Sequence, residues 1–192
     1  IIMIIIEKLL EKYSLFHLNY DKLLQTFINK YFFLINPNII TLLSLFIFIP
    51  IYFFNNIFIR GFLCLFHDFL DRLDGSMARV YIYKGIIRDS ITGAYLDAIC
   101  DKIYVILILN YIINDSFLLK MKVIIHLTSI IVRTLLYFSK YNIRNKSTMN
   151  GKCGTFLENT SLFLYFVYPI LYPFFMTLSI IFSIKSLLDK LF

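Results

Sequence analysis

Four aspartates stand in two tight pairs, Asp71 with Asp74 and Asp97 with Asp101, inside stretches built mainly from Ile, Leu, Phe and Tyr. Such spacings put both members of a pair on one face of an α-helix, with Cβ atoms about 5 to 6 Å apart. Two faces of this kind packed together form a cup of four carboxylates. Each carboxylate at bilayer depth costs about 2.5 to 3.5 kcal/mol on insertion scales, so the cup demands compensation. Mutual repulsion would leave some members protonated unless cations bind. Oxygen-only ligands suit Mg2+, Mn2+ or Ca2+ better than zinc or copper, and a bound divalent cation is the simplest compensation. Asp68 and Arg72 extend the first helix face, where they either join the cup or form ion pairs, with each other or with Lys102. His67 lies close by in sequence, but packing on a helix face explains it as well as ligation does.

Composition places this cup in a membrane protein. The chain has 192 residues, 59% of them hydrophobic, and a mean hydropathy of +0.77, too apolar for an ordinary soluble domain. A net charge of +7 could indicate nucleic acid. Lys and Arg are instead spread between apolar runs without an aromatic-interleaved basic module, so no nucleic acid is expected as a partner. Cys64, Cys100 and Cys153 show no CxxC or Cys/His spacing and read as plain buried side chains. The chain opens at Ile1 rather than Met, which leaves room for a targeting segment ahead of it.

Residues 1–34 mix apolar side chains with Glu7, Lys8, Glu11, Lys12, Asp21, Lys22 and Lys30, the pattern of one or two amphipathic helices on a membrane surface. Residues 35–192 read as one domain of six apolar spans, near 37–54, 57–80, 91–113, 123–138, 154–168 and 174–188. Asn38 or Thr41 can cap the first span, and Pro169 and Pro173 mark a reversal before the last. The predicted fold class is an all-α integral membrane protein, with six transmembrane helices preceded by an amphipathic surface helix. The first aspartate pair ends the second span and the other begins the third, so both lie on one side of the membrane. Both termini and most Lys and Arg fall on that side too, leaving Arg60, Lys120 and Lys122 opposite. By the positive-inside rule the acidic site faces the cytoplasm or its topological equivalent.

At these residues the chain resembles the CDP-alcohol phosphotransferase family, integral membrane enzymes of phospholipid synthesis with the signature DxxDGxxAR, a gap, then GxxxDxxxD. The two parts stand here as DRLDGSMAR, Asp71 to Arg79, and GAYLDAICD, Gly93 to Asp101, with all eight signature residues present. The PNIIT run at Pro37 to Thr41 is similar to the start of the family's catalytic domain, and the resemblance extends over about residues 35–190. Thirteen residues separate Arg79 from Gly93, more than the family usually has. The surplus falls in Tyr81–Ser90, which reads as an extended loop, and doubling a loop costs only about 0.6 kcal/mol.

The resemblance implies a metal-dependent transferase. Two divalent ions, Mg2+ or Mn2+, held by Asp71, Asp74, Asp97 and Asp101, would clamp the diphosphate of a CDP-linked lipid donor. Asp101, or Asp97 in another microstate, would take the proton of the attacking alcohol. Gly75 and Ala78 would permit close approach of the nucleotide, Arg79 would hold donor phosphate, and Gly93 would let the two helices pack tightly beside it. Ion pairing of the aspartates with Arg72, Arg79, Arg88 and Lys102 is the plainer alternative, but it needs neither the glycine after Asp74 nor the fixed spacings.

Arg133 sits inside the fourth span, and Lys140, Arg144 and Lys152 follow on the acidic side. Either they bind an anionic acceptor such as glycerol 3-phosphate or inositol phosphate, or they snorkel to lipid headgroups. LDAICDKI and GKCGTFLEN, the latter Gly151 to Asn159, are similar to segments of phosphatidyltransferases that use CDP-diacylglycerol. The implied reaction is transfer of a phosphatidyl group from CDP-diacylglycerol to a hydroxyl acceptor with release of CMP, glycerol 3-phosphate being favoured and inositol a close second. In a eukaryotic cell the site of action would be the endoplasmic reticulum or an organellar membrane. Relatives commonly form homodimers, although no GxxxG-like seam here predicts one. Two other readings stay open. One is a CDP-choline or CDP-ethanolamine:diacylglycerol phosphotransferase; the other is a divalent-cation transporter or non-catalytic metal-binding membrane protein.

Overall fold

A computed structural model of the chain describes residues 2–31, 35–88, 91–112, 116–139 and 148–191. Among these residues are eight α-helices and no strand: α1 (Ile2–Tyr31), α2 (Pro37–Leu45), α3 (Phe48–Phe53), α4 (Ile57–Tyr83), α5 (Ile91–Ile112), α6 (Phe117–Phe138), α7 (Met149–Val167) and α8 (Tyr172–Leu191). The all-α class is as predicted. Two helices, Phe117–Phe138 and Tyr172–Lys190, are long and apolar enough to cross a membrane.

Local sequence explains the helix boundaries, including those that depart from expectation. The α2 cap is Asn36 rather than Asn38 or Thr41: its side chain accepts from the Asn38 N–H at 3.0 Å, and Pro37 occupies the first turn, where its missing N–H is harmless. The first apolar run is broken at residues 46–47 because Pro50 has no N–H to offer the Phe46 carbonyl, and α3 resumes beyond the turn. Asn56 caps α4 by accepting from the N–H groups of Phe58 and Ile59 at 2.9 and 3.3 Å. At its other end α4 continues through Tyr83, so the opening residues of the expected loop are helical. Gly85, at φ +69°, then stops the helix in a Schellman arrangement, with Ile86 N–H donating to the Tyr81 carbonyl at 2.8 Å and Gly85 N–H to Ile82 at 3.0 Å. Thr148 caps α7 through the Gly151 N–H at 3.1 Å, which starts that helix at Met149 rather than near Gly154.

The apolar core joins Ile47 and Ile51, Cys64 of α4, Tyr104, Val105, Ile108 and Leu109 of α5, Leu119 and Ile125 of α6, Leu162 and Phe166 of α7, and Met176 and Ile180 of α8. His67 is buried against this core, stacked on the Tyr104 ring with centroids 3.5 Å apart, so packing accounts for it. Cys64, Cys100 and Cys153 are free and buried. Helices α7 and α8 approach closely because Gly154 has no side chain; a Cβ there would lie 3.2 Å from Ser183 Oγ.

A polar cluster away from the aspartates lies inside the bundle. Lys122 belongs to α6, which begins at Phe117 rather than near Val123, and Lys122 has no exposed surface. Its Nζ donates to Ser179 Oγ and Ser183 Oγ at 2.6 and 2.8 Å and lies 3.4 Å from Glu158 Oε1. His126 Nε2 is 2.5 Å from the same oxygen. Lys122 therefore faces into the protein, not toward a loop on the far side of a membrane.

Candidate active site

Helix α4 supplies Asp71, and α5 supplies Asp97 and Asp101, while α2 packs against both helices. The three carboxylates meet: one oxygen from each lies within 4.8 Å of the others. They border a cavity of about 190 Å³ whose walls are completed by more of α4 and by four further helices. Helix α1 contributes Tyr13, His17 and Asp21; α4 adds Gly75 and Arg79; α6 gives His126, Ser129 and Arg133; α7 gives Lys152 and Thr155; α8 gives Ser183, Ser186 and Lys190.

Asp74 is set differently from the other three. It is almost fully buried, and its Oδ2 accepts from Thr41 Oγ1 of α2 at 2.5 Å. Thr41 thus serves the acidic cluster instead of a helix end. Asp74 stands outside the group of three but close enough for its charge to act on Asp71 and Asp97. Arg133 is buried on the cavity wall, and Lys152 also borders the cavity. Ala78 and Gly93 are half-buried on α4 and α5 and do not border it. Lys140 and Arg144 lie outside the described residues.

Asp68 and Arg72 pair with each other. Arg72 Nε donates to Asp68 Oδ2 at 2.8 Å, Asn159 Nδ2 donates to Asp68 Oδ1 at 2.9 Å, and the Arg72 guanidinium lies between the rings of Tyr20 and Phe156 at 5.6 and 5.5 Å. Asp68 is committed to this network. Arg79 Nη2 donates to Asp21 Oδ1 at 2.9 Å and to Ser76 Oγ at 3.0 Å. Beside it, burial together with the charge of Lys152 holds the His17 imidazole below the ordinary histidine range, against the opposing pull of Asp21.

The donor set suits a hard divalent cation. Among the described residues, the buried Asp97 Oδ1 has no hydrogen-bond partner, a costly state for a carboxylate oxygen unless a cation meets it. Three carboxylates offering only oxygen fit Mg2+ or Mn2+.

The CDP-alcohol phosphatidyltransferase family model matches residues 34–185. The chain belongs to that family. No curated protein and no solved structure matches the chain. Family membership makes it a transferase of phospholipid synthesis acting on a CDP-alcohol in a lipid environment, and members typically depend on divalent metal. All four cup aspartates, Thr41 and Arg133 fall inside the matched segment, whereas α1 precedes it.

Sequence reasoning missed the contributions of α1 and, apart from Arg133, the inward face of α6. The signal was there: Tyr13, His17 and Asp21 recur every fourth residue, and Lys122, His126, Ser129 and Arg133 recur at intervals of four, three and four, one helix face in each case. Replacing Thr41 by Val keeps the shape at α2 but withdraws the hydroxyl from Asp74. A hydrogen bond to a charged group is worth about 1.5 to 3 kcal/mol. A rise in the Mg2+ concentration needed for half-maximal activity is therefore expected, and an unchanged Mg2+ titration would separate Asp74 from metal binding.

Proposed function

We propose that the chain is a phosphatidyltransferase that moves the phosphatidyl group of CDP-diacylglycerol to the hydroxyl of a phosphate-bearing acceptor, glycerol 3-phosphate being favoured, with release of CMP. The observation that carries this reading is the joining of the Asp71, Asp97 and Asp101 group to the cations Arg133, Lys152 and Lys190 around one cavity. A neutral diacylglycerol acceptor, as in choline or ethanolamine phosphotransfer, offers no anion to those cations. Arg133 at bilayer depth is costly on a lipid-facing surface and much less so on a polar cavity wall.

Divalent ions held by Asp71, Asp97 and Asp101 with the nearby charge of Asp74 would neutralise the donor diphosphate and ease departure of CMP. Arg79 grips donor phosphate, with Gly75 leaving room for the nucleotide. Asp101 takes the proton of the acceptor hydroxyl as that oxygen bonds to the β-phosphorus and the bond to CMP breaks. Arg133 holds the acceptor phosphate so that its hydroxyl points at the reacting phosphorus.

In this reading residues 35–192 form a six-span domain in which α2 with α3, α4, α5, α6, α7 and α8 cross the membrane, and α1 lies along the cytoplasmic surface with the active site on that side. Support comes from the outward-facing Phe53, Phe58, Phe117 and Phe138, each at least 71% exposed, as lipid contact allows. The acceptor assignment is tested by Arg133→Met. The KM for glycerol 3-phosphate should rise roughly ten- to hundredfold, the worth of one buried charge-assisted contact, while that for CDP-diacylglycerol stays nearly constant. Equal effects on both substrates would remove the assignment, and preference for unphosphorylated inositol in the unaltered protein would replace glycerol 3-phosphate.

A further inference from the structure

Helix α1 lies ahead of the family-matched segment, yet it places Asp21 directly on Arg79. Asp21 Oδ1 accepts from Arg79 Nη2 at 2.9 Å and from Ser76 Oγ at 3.3 Å, and Ser76 Oγ itself accepts from Arg79 Nη2 at 3.0 Å. The other carboxylate oxygen is 3.4 Å from His17 Nδ1. Two partners thus grip one end of the guanidinium. Its Nη1 lies 3.5 Å from where a Gly75 Cβ would stand, so the fork is laid over a residue of α4 that has no side chain to lift it. Gly75 and Arg79 both border the cavity.

Helix α1 does not depend on Asp21 for its place. Toward its start, Tyr13 donates to the Lys152 carbonyl at 3.1 Å and its ring packs on Phe156. Toward its end, the fully buried Ile28 joins a cluster with Ile40, Met77, Val80 and Tyr81. An arginine on an open helix face samples many rotamers, and holding one end of the fork removes that freedom before the substrate arrives.

We infer that Asp21 is a positioning residue for donor recognition: it fixes the Arg79 guanidinium over Gly75, so that α1 completes the subsite for the donor's phosphate. The inference rests on the reading of Arg79 as the donor-phosphate ligand. Neutral Asp21→Asn keeps the shape but loses the charge that orients the fork.

The test is steady-state kinetics of the full chain with CDP-diacylglycerol and glycerol 3-phosphate, for Asp21→Asn, Asp21→Glu, Arg79→Ala and the Asp21→Asn/Arg79→Ala double variant. KM does not depend on how much protein folds, so partial loss of folded material leaves the readout intact. Asp21→Asn should raise the donor KM roughly tenfold and leave the acceptor KM unchanged, Asp21→Glu should retain most of the donor affinity, and the double variant should be no worse than Arg79→Ala alone. A normal donor KM for Asp21→Asn beside a raised one for Arg79→Ala overturns this inference only. A lowered donor KM for Asp21→Asn, equal changes in both KM values, or additive losses in the double variant also overturn it. A normal donor KM for Arg79→Ala overturns the donor-phosphate reading beneath it.

Discussion

Asp97→Asn is expected to lower kcat/KM by roughly a thousandfold or more, because a metal clamp on a transferring phosphoryl group is worth several kcal/mol and each 1.36 kcal/mol is tenfold in rate. The substitution preserves size and removes one of three clustered carboxylates. Within the group of three, its Oδ1 is buried and lacks a hydrogen-bond partner among the described residues, so it has much to lose from having no cation. Insertion into the membrane should not suffer, since an amide is cheaper to bury than a carboxylate. The measurement is turnover of membrane-inserted protein against Mg2+ concentration. Full Mg2+-dependent turnover would remove Asp97 from the metal site. Asp101→Asn separates the two roles of its carboxylate: loss in kcat with donor binding intact marks the base, and loss of both marks a ligand.

Glu158→Gln should cost about 3 to 5 kcal/mol of stability, the usual consequence of leaving a buried charge without its partner. Glu158 is 1% exposed, and the Lys122 and His126 side chains that share its Oε1 are buried with it. The amide cannot match the ammonium's charge, and Lys122 would be left to the hydroxyls of Ser179 and Ser183. Thermal unfolding in detergent should show a clear drop in melting temperature. Replacing both partners with apolar residues, Lys122→Met with Glu158→Leu, should be milder than Glu158→Gln alone, because the desolvation cost leaves with the pair. An unchanged melting temperature for Glu158→Gln would mean that the triad does not lock α6 to α7 and α8.

Helix existence was legible because the apolar runs are long and several are bounded by Asn, Pro or Gly, and the acidic group was legible because i,i+3 and i,i+4 spacing determines which side chains share a face. Which helix faces meet was not legible. Thr41 read as a cap because it sits in the first turn, and only the approach of α2 to α4 shows that its hydroxyl reaches Asp74. Lys122 read as a loop cation because charge in an apolar run suggests a boundary; Glu158, far along the chain, is what lets it sit inside. Asp21 read as one charge of an amphipathic helix, since periodicity gives a polar face without naming what that face will touch. The break before Pro50 was legible in principle, from the missing N–H alone.

The most direct test supplies the purified full chain with CDP-diacylglycerol and the acceptors glycerol 3-phosphate, inositol and inositol phosphate, and separately with CDP-choline or CDP-ethanolamine and diacylglycerol, and follows CMP release and lipid product together. The expected result is Mg2+- or Mn2+-dependent CMP release matched by phosphatidyl product on the phosphate-bearing acceptor, lost on chelation and restored by added metal. Metal binding without CMP release for any acceptor, or turnover confined to diacylglycerol with CDP-choline or CDP-ethanolamine, would contradict it.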